Sequence, residues 1–473
     1  FSWNPGSDGK MAIRGSYGTF FDRAIGATAS AVDAGTPGFS QPTPIFPNSS
    51  GTGDLRVADG IPLPPQPPAP VLTLAATRAQ NITIMHPNLR TGYVHQYSLN
   101  VQKEMLRNTV FDIGYVGARG VKLFMDLNVN QRKIAGDFLQ SFKEMQAFAA
   151  SGVAPPANNT FVRMFGTPAA AVTALSATNL SQGLTGPAAD NLDRTAANYN
   201  RYASAGQNQF FIRNFPQYNQ VILGTNDGRN YFDSLQFSVR RRAGAFSLYA
   251  NYTFSKSMDN ISVDGNGFTS PIDSFNLGQN RARGDADRPH AFNMAASYTL
   301  PIGRGHALGG NMPRWVDTLV GGWDLGVLNV WQSGSVMTVS SGRQTTGSSA
   351  NTWANFSGDR NIGSVDRRSN GTIYYLATEQ IAGFTFPGAG EVGSSGRNTF
   401  RGPRFFGVDM SLVKKFKLTE RHTIAFRAEG YNVFNQVNFA NPAVSIATPQ
   451  TFGRISGTVG QPRIFQMAMR YDF

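Results

Sequence analysis

Apolar and polar residues alternate along this chain in runs of roughly ten positions, the period of a strand with one apolar face. Phe465, Met467, Met469, Tyr471 and Phe473 alternate with Gln466, Ala468, Arg470 and Asp472. Phe292, Met294, Ala296, Tyr298 and Leu300 alternate with polar or small residues. So do Phe246, Leu248, Ala250, Tyr252 and Phe254, and Phe406, Val408, Met410 and Leu412. Weaker runs lie at Met11 to Phe21, Tyr93 to Glu104, Val110 to Ala118, Tyr231 to Arg241, Trp323 to Gln332 and His422 to Phe434. The pattern predicts about ten strands of the length that a tilted membrane-spanning strand needs.

The segments between the runs alternate long and short. Long stretches are expected at about 22–91 (rich in proline from Pro62 to Pro70), 119–228, 257–287, 335–401 and 435–461. Tight turns fall at Met105-Leu106-Arg107-Asn108, Arg242-Ala243-Gly244-Ala245 and Lys417-Leu418-Thr419-Glu420, with an intermediate segment at about 301–321. A soluble sandwich places long and short connections without regard to parity. An up-and-down barrel in an outer membrane keeps short turns on the periplasmic side and long loops outside. The expected fold class is therefore all-β, an antiparallel transmembrane β-barrel of the outer-membrane type, with both termini on the short-turn side.

Lipid then dictates where charge goes. A charge at mid-bilayer on the lipid face costs roughly 2–4 kcal/mol, so charged residues within the runs should face the bore. Arg427, Glu429, Asp409, Arg470 and Gln236 all lie out of phase with the apolar set of their own run, and Gln466, Ser238 and Asn251 share that polar phase. Leu328 and Val330 break the rule by falling on the polar phase, and His95 by falling on an apolar one. Trp323, Trp331, Tyr93, Phe405, Phe416, Tyr431 and Phe434 lie near strand ends, where interfacial aromatic girdles belong.

Composition removes alternatives. The 473 residues include no cysteine, which excludes disulfides, a thiol nucleophile and cysteine-ligated metals. No apolar stretch is long enough for a transmembrane helix. The net charge of +13 raises the question of nucleic acid, but the arginines are scattered and no basic helix collects them. Phe1-Ser2-Trp3-Asn4-Pro5 shows neither an initiator methionine nor a signal region, as expected of a mature product or a fragment.

Catalytic and cofactor chemistry finds no support. Gly388-Ala389-Gly390-Glu391-Val392-Gly393 has dinucleotide-loop spacing but leads into Ser394-Ser395-Gly396-Arg397 rather than a helix, so a loop is expected. His86, His95, His290, His306 and His422 lack ligand spacing for zinc. Asp259, Asp264 and Asn266 lack EF-hand spacing. Asp285 and Asp287, beside Arg283 and Arg288, read as a loop salt-bridge cluster rather than an acid pair. No enzyme, cofactor or metal is expected.

The chain ends on Arg470-Tyr471-Asp472-Phe473, an aromatic close to an amphipathic strand. Other distinctive stretches are Asn230-Tyr231-Phe232-Asp233-Ser234-Leu235-Gln236, Tyr252-Thr253-Phe254-Ser255-Lys256-Ser257-Met258-Asp259 and Asp287-Arg288-Pro289-His290-Ala291-Phe292-Asn293. Glu429-Gly430-Tyr431-Asn432-Val433-Phe434-Asn435, Phe452-Gly453-Arg454-Ile455 and Pro462-Arg463 complete the set. In these residues the chain resembles the carboxyl-terminal barrel of TonB-dependent receptors, particularly the Oar-like group with a carboxypeptidase-regulatory-like domain. The resemblance covers most of the second half and the first 90 residues only loosely.

The resemblance implies the last ten or so strands of a barrel of about 22, the whole of residues 1–473 being barrel segment with plug and regulatory domain absent. Closure as a small barrel of its own is the other possibility. It implies a bacterial outer-membrane receptor that captures a ligand, a peptide or carbohydrate among the candidates, and passes it inward with energy from a TonB-type coupling protein acting on a plug. Arg427, Glu429, Asp409, Arg470, Gln466, Ser238 and Asn251 would then hold that plug. Phe465, Met467, Met469, Tyr471 and Phe473 would be the signal read by the barrel-assembly machinery. The remaining partners are outer-membrane lipid, lipopolysaccharide and an unknown extracellular ligand, with no nucleic acid. The alternatives are a surface adhesion or assembly barrel and a passive porin.

Overall fold

A computed structural model describes residues 1–6, 9–21, 32–33, 36–38, 66, 68–70, 80–194, 198–262 and 271–473. Each of the ten alternating runs is a strand: β1 (Met11–Phe21), β2 (Tyr93–Leu106), β3 (Thr109–Asn128), β4 (Gln220–Ala243), β5 (Phe246–Asp259), β6 (His290–Thr299), β7 (Trp323–Gln332), β8 (Phe405–Lys417), β9 (Thr423–Tyr431) and β10 (Ile464–Asp472). They pair antiparallel in chain order, each with its sequence neighbour. β1 carries only Ser2–Trp3 on its outer edge, and β10 pairs with β9 alone. Among the described residues nothing joins the two edges, so the sheet is open.

The turns follow from local chemistry. Asn108, at φ 60°, closes the two-residue link from β2 to β3, and Gly244, at φ 54°, the link from β4 to β5. Both occupy the left-handed region that a short hairpin requires and that Asn and Gly tolerate best. All the long connections consequently leave from the opposite end of the sheet.

Register fixes the faces, because directly paired residues project to one side. One side collects Phe426 and Met469, Ala428 and Met467, Leu412 and Leu325, and Tyr252 and Phe292. The other collects Glu429 and Gln466, Ser411 and Glu429, Ser238 and Asn251, and Asn251 and Asn293. The apolar side is left bare: Met467 is 75% exposed, Met469 72% and Phe465 68%. Such a surface in water would aggregate; against lipid it is at equilibrium, and the backbone groups beneath it are satisfied by the ladder.

Two strands overshoot the bilayer. β3 and β4 run to 20 and 24 residues, against about ten for a spanning strand. The connection expected at 119–228 therefore shortens to 129–219, and it is not structureless. Among its described residues are six helices: α1 (Asp137–Ser151), α2 (Thr160–Phe165), α3 (Pro168–Leu175), α4 (Ala177–Gln182), α5 (Thr185–Asp193) and α6 (Tyr199–Ser204). Phe138, Phe142 and Met145, at helical spacing on α1, are fully buried with Phe161, Leu175, Leu180, Leu192 and Tyr202. A second core, with Met337, Val339, Leu376, Phe384, Phe400 and Phe452, is built from segments 333–404 and 432–463. The two units touch: Thr185 Oγ1 donates to the Thr345 carbonyl at 2.7 Å, and Arg132 donates to the Ser348 carbonyl at 2.9 Å.

Candidate functional site

All seven bore candidates lie on the polar side of the sheet, in two groups. On β8–β10, Arg427 Nη1 lies 3.4 Å from Glu429 Oε1, Glu429 faces Gln466 in register, and Arg470 pairs with Asp472 at 2.6 Å. Asp409 accepts the backbone N–H of Asn432 at 2.8 Å. On β4–β5, Ser238 faces Asn251, whose Oδ1 accepts from Asn293 at 3.4 Å. Three strand spacings, from β5 to β8, separate the groups, so they are two patches on one wall rather than one constellation. Gln236 shares the polar side.

The sequence exceptions acquire reasons. Leu328 and Val330 do face the polar side, where with Asp409 they line a cavity of about 500 Å³. Phe405 and Tyr431 belong to that cavity too, Phe405 opposite Gln332 and Tyr431 opposite Ile464. Their placement in the outward girdle is corrected: each falls one residue out of phase at a strand end, so its ring turns to the bore. Phe434 lies beyond β9, in the connection to β10, and is likewise no girdle residue. Trp323, Trp331, Tyr93 and Phe416 stand on the apolar side. His95 is also outward, its Nδ1 held by Tyr17 at 2.8 Å and Thr19 at 3.1 Å. Phe465, Met467, Met469 and Tyr471 share that side, Tyr471 bonding His422 Nδ1 at 2.6 Å.

Sequence reasoning missed charge on the outward face. Arg119 of β3 makes a bidentate pair with Asp233 of β4 at 2.7 and 2.9 Å, and the Tyr115 hydroxyl donates to Asp233 at 2.5 Å. The Arg119 guanidinium lies 5.6 Å from the rings of both Tyr97 and Tyr231, and Lys256 stands opposite Asp233. Asp233 sits in phase with Tyr231 and Leu235, which was the available signal.

Above the wall the loops form a vestibule. A cavity of about 790 Å³ lies between the helical unit and segments 271–280 and 346–394, with Arg132, Lys133, Asp273, Gln279 and Glu391 among its lining. Arg132 is anchored by Asp190, at 2.6 Å, and Asp190 also accepts from Arg213, which pairs with Asp193 at 2.9 Å. Burial pushes the Asp190 carboxyl up, but Arg132 and Arg213 overcome it and hold the group below the usual carboxylate range. The glycine-rich segment closes this cavity without a following helix. A Cβ on Gly393, at φ +87°, would meet the Trp353 carbonyl at 2.1 Å, so its glycine serves close packing.

The acidic loop residues do form a salt-bridge cluster, though with distant partners: Arg397 holds Asp259 and Asp285, and Arg401 holds Asp287. Asp264 and Asn266 lie outside the described residues. Asp126, on β3 well above the girdle, is 1% exposed, and among the described residues neither carboxylate oxygen has a hydrogen-bond partner. Burial alone pushes it up to about 7.

A family model described as an outer membrane beta barrel domain matches residues 1–466. No curated protein matches the sequence. Among solved structures, the outer membrane transporter YddB from Escherichia coli is similar at 9% identity and TM-score 0.43, covering 100% of this chain and 39% of its own. The siderophore receptor PirA from Acinetobacter baumannii is similar at 8% identity and TM-score 0.39, covering 100% and 40%. The ferric-catecholate import receptor Fiu from E. coli K12 is similar at 8% identity and TM-score 0.36, covering 100% and 34%. The chain thus spans about two fifths or less of the length of these structures.

Proposed function

The chain belongs to the outer membrane beta barrel domain family, and on that premise we propose that it is wall and outer mouth of a TonB-dependent receptor of the Oar-like kind. Its ten strands supply the closing portion of a larger barrel, and the ligand is captured in the loop vestibule and passed down the bore past a plug supplied by the rest of the protein. The observation that carries this reading is the vestibule itself. Two loop units with their own buried cores meet over the bore and enclose a polar cavity of about 790 Å³, a preformed pocket rather than a fringe of unstructured loops. The polar ladder of Arg427, Glu429, Gln466, Ser238 and Asn251 supports a bore lined for hydrogen bonding to a plug.

Cysteine labelling tests it, since these 473 residues contain no cysteine and a single introduced one is located by peptide mapping. In the intact protein in cells, Gln466→Cys and Ser238→Cys should resist a membrane-impermeant maleimide, and loss of the coupling protein should alter that protection. Rapid labelling at both positions regardless of coupling would instead indicate an open porin. Ligand retention on the cell surface with no energy requirement would indicate an adhesion barrel.

A further inference from the structure

On the bore face, large apolar side chains gather at the upper end of β7 to β10. Leu328 opposes Asp409 in register, and Tyr431 opposes Ile464 on the next two strands. One step higher, Val330 faces Gly407, which has no side chain, and the space this leaves is the cavity of about 500 Å³. Its apolar walls are open rather than packed away: Leu328 is 55% exposed and Ile464 43%. A cluster of this kind on a wetted surface marks a place where something binds. The amides at its rim are spent on backbone, Asn438 on both groups of Phe406 at 2.8 and 2.9 Å and Asn432 on Gln436 and Gln461. Among the described residues that line the cavity, Asp409 alone is charged. Its Oδ1 accepts the Asn432 N–H at 2.8 Å, and no described cation lies within ion-pair distance of it.

The combination selects the chemistry of the occupant. Asp409 repels an anion, and a neutral apolar molecule would strip its carboxylate of water without replacing the lost hydrogen bonds. A bare metal ion needs several oxygen ligands, and no three metal-ligating side chains converge among the described residues. An organic cation meets every wall. Its N–H groups complement the remaining Asp409 oxygen, the faces of Tyr431 and Phe405 attract its positive end, and its apolar body covers Leu328, Val330 and Ile464. The Tyr431 hydroxyl, which donates to Glu429 at 3.3 Å, holds that ring in place. We propose that the cavity binds a small organic monocation, an ammonium group carried on an apolar or aromatic body, as a station on the bore wall separate from the vestibule. The two cavities share no lining residue. Asp409 is thereby assigned to a ligand rather than to a plug. The assignment depends on the bore face of β7 to β10 and not on energised transport, so coupling-dependent labelling of Gln466→Cys can fail with this site intact.

Three probes of one shape test it on the unaltered protein: tryptamine, a cation, tryptophol, its neutral counterpart, and indole-3-propionate, an anion. Equilibrium dialysis against the intact protein in phosphatidylcholine nanodiscs, with empty nanodiscs as baseline, should show saturable binding of tryptamine. Tryptophol should bind about tenfold more weakly or worse, the worth of a hydrogen bond to a charged group, and indole-3-propionate not at all. Equal affinity for the three would reduce the cavity to an apolar patch and overturn the proposal. Absence of saturable tryptamine binding would mean that the rest of the protein covers the cavity, and would overturn it too. Asp409→Asn, which keeps an acceptor for the Asn432 N–H, should weaken tryptamine about tenfold and leave tryptophol unchanged. Leu328→Asn should weaken both probes about fivefold. Asp324, on the same face of β7 but outside the cavity, accepts from the Thr299 hydroxyl at 2.5 Å. Asp324→Asn should bind tryptamine as wild type does; a loss equal to that of Asp409→Asn would indicate attraction to the whole bore and count against a site. Wild-type affinity in Asp409→Asn would refute the assignment outright.

Discussion

Strand β10 and helix α1 are both rich in large apolar side chains and dispose of them in opposite ways. Phe465, Met467 and Met469 of β10 stand more than two-thirds exposed, while Phe138, Phe142 and Met145 of α1 are completely buried. Among the buried hydrophobic residues that the structure describes, only Met125, Val221 and Val408 lie on a long strand. The wall is built for a solvent as apolar as itself, and its cohesion comes from ladder hydrogen bonds that lipid cannot replace. The outer units obey the rules of water and need a core. One chain thus carries two solvent regimes, and substitutions should separate them.

The largest expected effect is in the water-side core. Phe138→Ala removes a ring that packs edge-on to Phe161 at 5.2 Å and should destabilise the helical unit by about 3–5 kcal/mol. Hydrogen exchange across residues 137–204 of the detergent-solubilised protein should accelerate while the strand amides stay protected. If the strands loosened equally, wall and cap would be one cooperative unit and the contrast would fail.

Asp126 gives the next effect, and it depends on pH. Its carboxyl is raised from 3.8 to about 7 in the folded protein, so between those values the folded state binds more protons than the unfolded one. Stability therefore falls as pH rises through this window, and the full penalty applies above it. Asp126→Asn should stabilise the extended part of β3 and β4 at about pH 8 by at most about 4 kcal/mol and have no effect near pH 3. Thermal melts of the two proteins at both pH values would show this, and a gain independent of pH would refute it.

The lipid side supplies the third test. Met467→Arg places a charge on the outward face and should cost about 2–4 kcal/mol in folding into vesicles, whereas Gln466→Arg, one residue away on the bore side, should cost almost nothing. Heat-modifiable migration after refolding reports both. Equal costs would mean that the two faces of β10 do not meet different solvents.

These regimes also explain what the sequence could reveal. Lipid demands one apolar face over ten residues, so period 2 survives from Phe246 to Phe254 and from Phe465 to Phe473, and all ten strands were legible. The helical unit was not, because five of its helices have nine residues or fewer and the chain between them turns at Gly152, Gly166 and Gly183. Phe138, Phe142 and Met145 were a readable signal that a search for alternation passes over. The phase of Arg427, Glu429 and Asp409 was legible for the same reason as the strands. The pairing of Arg119 with Asp233 was not, since it joins residues 114 apart in sequence and depends on register. Phe405 and Tyr431 show the remaining weakness: proximity to a strand end does not say which way a ring turns.

The smallest expected effect concerns how each region satisfies its backbone. In the wall, neighbouring strands do so, and no side chain is needed. In the helical unit the first turn of α2 relies on Asn159, whose Oδ1 accepts from the N–H groups of Phe161 at 3.0 Å and Val162 at 3.1 Å. The same amide donates through Nδ2 to the Ser141 carbonyl at 3.0 Å and to Glu144 at 2.8 Å, so it also ties α2 to α1. Asn159→Ala should cost about 1 kcal/mol for the cap and a further increment of similar size for the buried Ser141 acceptor left behind. Asn159→Asp separates the two parts, because it keeps the cap acceptor but removes the Nδ2 donors and sets a second carboxylate beside Glu144. If Asn159→Asp melts with wild type at neutral pH, the tether contributes nothing and capping alone orders α2. A loss that recovers as Glu144 and the new carboxyl are protonated would assign the rest of the effect to the tether.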